Sequence, residues 1–176
     1  MADANEGFSV DIRGFALDAA REAELFAKQN ECVFMWTTRA GEPVGVVMCY
    51  LLHEGRFWLC LMESRARVAA IRRDPRSCLC ISSAGTDMKT GKAISYKGRT
   101  RVHAHDAPLV KGWFFDAFAR RMHKGTDEAR IAAIAADLDI AGRVVFEFTP
   151  EKAISYDGDK LAHEAGIDGG FEKLFA

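Results

Sequence analysis

Three apolar runs, residues 32–38, 44–52 and 57–62, follow one another with only residues 39–43 and 53–56 between them. A parallel return needs a crossover of a dozen residues or more, so neighbouring runs must lie antiparallel. All three are apolar on both faces. That suits the wall of a closed barrel or sandwich, not an open sheet with one wet side.

The remaining chain extends this pattern. Residues 77–83 read as a fourth strand, 84–91 as a polar loop, and 92–105 as a long fifth strand. There Ile94, Tyr96, Thr100, Val102 and Ala104 alternate with Ser95, Lys97, Arg99, Arg101, His103 and His105, so one face is buried. Residues 143–149 form a sixth strand, continued by 153–156 beyond Pro150. Helical spacing predicts an amphipathic helix over 12–28, a helix from Asp106 to Gly125 with Pro108 in its first turn, and another after Thr126. Residues 1–11 read as a loose arm and 157–176 as an irregular tail. The expectation is an α+β fold, mainly β with helices, built as one domain over 1–176 around a six-stranded antiparallel barrel.

Composition narrows the function classes. A net charge of −1 argues against a nucleic-acid partner, which calls for a basic excess. No apolar run reaches the ~20 residues of a membrane span, and the start M-A-D-A-N-E lacks a signal peptide's cationic and apolar regions. Five cysteines, Cys32, Cys49, Cys60, Cys78 and Cys80, lie in apolar strands, as reduced thiols of a cytoplasmic protein would.

Chemistry concentrates where the third strand ends. Ser64 is placed to cap a short helix that stops at Asp74-Pro75, with Val68 and Ile71 on its inner face. Arg65 and Arg67 fall in the first turn, where the helix dipole favours acids, a mismatch of about 0.3–1 kcal/mol per charge. A bound phosphate reverses its sign. Two readings stand for these arginines: an anion grip, or solvated surface charge.

The segment R-F-W-L-C-L-M-E-S-R-A-R-V-A-A-I-R-R-D-P-R-S-C-L-C-I, with T-T-R-A-G-E-P-V before it and Y-K-G-R-T-R-V after it, resembles the flavin-binding split β-barrel family related to pyridoxamine 5′-phosphate oxidase. The resemblance covers about residues 32–156 and implies a split barrel of FMN-binding type, with the cofactor at a homodimer interface. Carried over by position, Ser64, Arg65 and Arg67 are phosphate ligands. Val46, Val47 and Met48, with Leu59 and Cys60, line the isoalloxazine ring, Lys92 and Lys97 reach the cofactor from the fifth strand, and Tyr156 comes across from the tail of the other subunit of the dimer. The family implies an FMN-dependent oxidoreductase that passes a hydride between a reduced nicotinamide and a small planar acceptor; the alternatives are a deazaflavin-dependent reductase, or a flavin or haem binder without turnover. Two departures matter. The strand P-V-G-V-V-M-C-Y carries no cation, and the oxidase's C-terminal substrate-binding Arg and His are missing, so vitamin B6 oxidation is not assigned.

Other constellations point to structure. His103-x-His105 lacks a third metal ligand and reads as a solvated strand face, and Cys78-x-Cys80 reads as core packing. Trp113, Phe114, Phe115 and Phe118 read as core, with a cofactor lid or dimer contact as the alternative. No serine or cysteine has an identifiable base, and no residue stands out as a proton donor.

Overall fold

The computed structural model describes residues 12–175. The arm expected over 1–11 therefore lies outside the described residues. A short 3-10 turn, Ile12–Phe15, precedes helix α1, Ala19–Lys28. The helix starts later than its apolar spacing suggests because the Asp18 carboxylate accepts the Arg21 N–H at 2.9 Å, which fixes the cap there.

Seven strands follow rather than six: β1 Glu31–Thr37, β2 Pro43–Cys49, β3 Leu51–His53, β4 Arg56–Met62, β5 Arg76–Ser82, β6 Lys92–Ala104 and β7 Arg143–Asp157. They form one antiparallel sheet in the order β2-β1-β5-β6-β7-β4-β3. The extra strand arises because the expected second strand divides at Tyr50. Its N–H bonds to the Asn30 carbonyl at 3.1 Å, outside either ladder. Before the break the chain pairs with β1, and after it with β4. The two margins of the sheet are thus one stretch of chain, and the sheet curls onto itself as a split barrel.

The barrel interior holds Phe34, Phe57, Leu59, Leu79, Ile81, Ile94, Phe146 and Phe148. Helix α2, Ala66–Arg73, adds Val68 and Ile71 to the same core. Outside β4 and β7, Trp58 and Val145 pack against helix α3, Phe114–His123, which lies beside helix α4, Glu128–Leu138. The expected helix from Asp106 begins only at Phe114, since residues 105–113 turn instead, with Gly112 at φ +89°. Phe114, Phe115 and Phe118 are core residues. The tail expected to be irregular after Asp157 is structured: α5 spans Gly158–Glu164 and a 3-10 turn spans Phe171–Phe175.

One sheet face stays uncovered. Register links Val47 to Val33, Val33 to Cys80, Cys80 to Ser95 and Ser95 to Ile154. Along this row Val47 is 63%, Val33 37% and Ile154 58% exposed. Cys78 and Cys80 share this outer face and are half-buried, so they are not the core thiols that their neighbours Leu79 and Ile81 suggested. Among the described residues, no helix is long and apolar enough to cross a membrane.

Candidate functional site

The turn from β4 into α2 differs from the other α-helix starts in having no acid in its first turn; α3, which like α2 lacks a side-chain cap bond at its N-cap Trp113, carries Asp116 there. Helices α1, α4 and α5 each open on an aspartate whose side chain accepts a backbone N–H. In α2 the N-cap is Arg65, one residue beyond the expected Ser64, with no side-chain cap bond and no acid in the first turn. Ser64 is exposed beside it.

Five arginines lie between residues 65 and 76, and they divide sharply. Arg72 forms a two-pronged bond with Glu63, Arg73 donates to the Thr37 carbonyl at 2.9 Å, and Arg76 bonds Asp74 at 2.6 Å. Arg65 and Arg67 form no ion pair among the described residues. Arg67 is half-buried, and its buried Nε has no hydrogen-bond partner. Burial, with the Arg65 guanidinium beside it, pulls its pKa down. A guanidinium has five N–H donors and cannot give up its charge, so an unpaired buried one is a site awaiting an acceptor. A phosphate, dianionic and rich in acceptor oxygens, fits this corner.

The ring-lining candidates border the seam beside it. Ladder pairing between β3 and β4 ends at Leu51 with Trp58, and β2 departs to β1, so β2 and β4 approach without a ladder. Val46, Met48 and Leu59 turn their side chains into the barrel core, leaving backbone at the seam. Val47 and Cys60 point outward. Burial raises the Cys60 thiol pKa, opposed by Arg143, whose Nη1 lies 3.8 Å from Sγ.

Lys92 and Tyr156 sit elsewhere. Ala104 and Val144, at the far end of β6, adjoin the Met62–Arg143 pair that leads into α2, twelve residues from Lys92. At ~3.3 Å per residue that is roughly 40 Å of strand. Lys92 is buried against Asp159 at 2.7 Å, and Tyr156 is edge-on to Phe171 at 6.1 Å. Within one chain neither reaches the α2 corner. Lys97 faces outward into a cavity near the C-terminal end of α2.

Two groups carried no local signal in the sequence. Arg143 has a buried, unpartnered Nε and a weak thiol contact, yet only the non-local Met62–Arg143 pairing brings it to the β4 end. Glu147, buried, takes Arg56 Nη1 at 2.5 Å on one oxygen and faces His103 Nε2 at 2.7 Å with the other. His103 is therefore an internal partner, not part of a solvated strand face.

Comparison with known proteins follows the same lines. The fold is similar to that of a conserved hypothetical protein from Mycobacterium tuberculosis, with 16% identity and a TM-score of 0.71, covering 88% of this chain and 93% of that one. It is also similar to an FAD-binding protein from Mesorhizobium loti, with 17% identity, a TM-score of 0.57, and 80% and 94% of the two chains covered. An F420 reductase matches with 12% identity, a TM-score of 0.55, and 74% and 94% coverage. No curated protein matches the sequence. Residues 19–157, well over half of the chain, match the family profile described as pyridoxamine 5′-phosphate oxidase, and the chain belongs to that family.

Proposed function

We propose that this protein is a homodimeric FMN-dependent oxidoreductase that passes a hydride between a reduced nicotinamide and a small planar acceptor. The observation that carries the reading is the pair Arg65 and Arg67, which stay unpaired while the next three arginines of the same segment find protein acceptors. Arg67 Nε and the guanidinium of Arg65 would take the phosphate, with Ser64 and the free N–H groups of the first α2 turn completing the grip. The backbone of Val46–Met48 and of Leu59–Cys60 would flank the ring along the unpaired seam. When bound, the flavin supplies the redox chemistry, while the protein positions the ring and excludes water. Vitamin B6 oxidation stays outside the proposal, since β2 carries no cation to meet a second phosphate.

Arg67→Met tests the corner directly. A hydrogen bond from a charged donor is worth about 1.5–3 kcal/mol, so FMN affinity should fall roughly 10–100-fold in a fluorescence titration. The same change removes a half-buried, uncompensated charge. The cofactor-free variant is expected to melt about 1–4 °C above wild type by calorimetry. Unchanged FMN affinity would sink the phosphate assignment.

The exposed row Val47–Val33–Cys80–Ser95–Ile154 supports the dimer. It is an apolar stripe across an uncovered sheet, and large apolar patches mark partner surfaces. Val47→Asp is expected to raise the dimer dissociation constant more than tenfold in sedimentation equilibrium, because it places a carboxylate where a second copy would dry the surface. A wild type that sediments as a monomer at micromolar concentration contradicts the proposal.

The likeness to an F420 reductase favours a second reading, a deazaflavin in the same corner. Parallel titrations with FMN and the deazaflavin decide between them. Oxidation of NADH with and without quinone acceptors shows whether turnover occurs.

A further inference from the structure

Lys97 and Lys152 stand directly opposite each other on β6 and β7, both exposed. Side chains of opposed residues start only about 5 Å apart, and like charges placed so weaken a strand pair. Neither ammonium forms an ion pair or a hydrogen bond among the described residues. The chain carries a net charge of −1, so the pair is not part of a general basic excess.

The neighbouring charges are committed elsewhere. Arg76 bonds Asp74 through Nε and Nη2, at 2.9 and 2.6 Å. Register shifts after Lys97: it faces Lys152 while Gly98 faces Pro150, so Glu151 is an extra residue on β7. Bulges of this kind re-aim side chains and recur beside binding sites. Here Glu151 serves Arg99 at 3.2 Å and neither lysine. Glu147, the ladder partner of Arg101 on the same side of β6, is taken by Arg56 and His103.

The lysine pair borders a cavity of about 460 Å³, within the ordinary range of small-molecule sites. Register continues the row from Lys152 and Lys97 to Cys78 and Met35 across the outer face. Met35, Cys78 and Lys97 all line the cavity, and Pro43 adds a further apolar group. Two uncompensated cations thus stand at one end of a row whose other end is apolar. A carboxylate brings one negative charge to such a pair, whereas a phosphate monoester brings nearly two and has acceptor oxygens for both ammonium groups.

We infer that Lys97 and Lys152 together hold the phosphate of a small phosphomonoester whose apolar body enters this cavity against Met35 and Cys78. The site stands apart from the proposed cofactor corner. Arg67 is in the first turn of α2, and Arg76, which lines the cavity, is three residues beyond its end, with roughly 9 Å of helix between. It also lies one row outside the Val33 stripe proposed to pair.

The test uses n-butyl phosphate, inorganic phosphate and the full chain. Titration calorimetry is expected to give a dissociation constant below about 1 mM for n-butyl phosphate and weaker binding of inorganic phosphate. Lys97→Gln and Lys152→Gln should each weaken both ligands roughly tenfold, and neither variant loses a protein contact, so both should melt with wild type. Met35→Ser should weaken n-butyl phosphate and leave inorganic phosphate unchanged. Binding should persist in the Arg67→Met and Val47→Asp proteins and beside one equivalent of FMN. Absence of n-butyl phosphate binding, or full affinity in both lysine variants, overturns the site. Equal affinity for the two ligands overturns the part given to the cavity. Displacement by one equivalent of FMN overturns its independence and makes the lysines part of the cofactor's grip, whereas n-butyl phosphate bound to a protein that takes no FMN upholds the site and sinks the flavin reading alone.

Discussion

Alanine at Gly98 is expected to destabilise the protein by about 3 kcal/mol or more, lowering the melting temperature by roughly 6–12 °C. A Cβ built there stands 2.1 Å from the Thr149 carbonyl oxygen and 2.8 Å from Cζ of Phe148. The first neighbour is backbone, so no rotamer change relieves the contact, and β7 itself must move. Phe148 is fully buried in the barrel, so a shift of β7 reaches the core. Pro150 opposite Gly98 has no N–H to give the ladder, which concentrates the irregularity at this pair. Gly45 is the control. Its added Cβ would meet Met35 and Val33 side chains at 3.0 Å, both able to yield, and Gly45→Ala should cost no more than about 1 kcal/mol. Equal melting temperatures for the two variants would show that the β6–β7 approach is looser than the geometry says.

The comparison with the sequence separates local from long-range information. The hairpin lengths force antiparallel pairing, and the alternation from Ile94 to Val102 assigns the buried face of β6, because both are set by neighbouring residues. The break at Tyr50 is invisible in Val44–Leu52, which is apolar throughout. It is made by the Asn30 carbonyl twenty residues earlier. The helix at α3 starts late because Trp113 donates its indole N–H to the Leu109 carbonyl at 2.7 Å and holds the preceding turns. The tail reads as irregular because its glycines suggest flexibility. In the fold, Gly158 and Gly91 are bare so that the Phe171 ring can lie on both, with added Cβ atoms 2.3 Å from it. At the site, Arg65 and Arg67 are legible because they carry the wrong charge for a helix start, a local rule. Arg143 and the Glu147–His103 contact depend on which strands pair, which no single segment encodes.

Lys92 shows the same dependence on distant partners, and its replacement by methionine is expected to cost about 3 kcal/mol, or roughly 6–12 °C. The ammonium is only 3% exposed and donates to the Met88 carbonyl at 2.9 Å and the Thr90 carbonyl at 3.3 Å, besides the Asp159 carboxylate. Methionine keeps the volume and removes all three bonds, leaving buried acceptors unmet. The cost sits at the low end for orphaning one member of a buried pair, because Asp159 keeps Arg21 at 2.8 Å and the Phe171 N–H at 3.0 Å. Burial alone raises the Asp159 pKa, but the bonds from Lys92 and Phe171 and the charge of Arg21 leave it below its ordinary value. A carboxyl lowered in the folded state contributes stability above its unfolded pKa, near 3.9, and loses it as pH falls through the folded value. The gap between wild type and Lys92→Met should therefore be full at pH 7 and narrow as pH drops below about 4. The contact also ties α5 to the start of β6, so the variant should release residues after 157 to protease before the barrel unfolds. A gap that stays constant down to pH 2.5, or a tail cut no faster than in wild type, would show that Lys92 fills space and does not anchor charge.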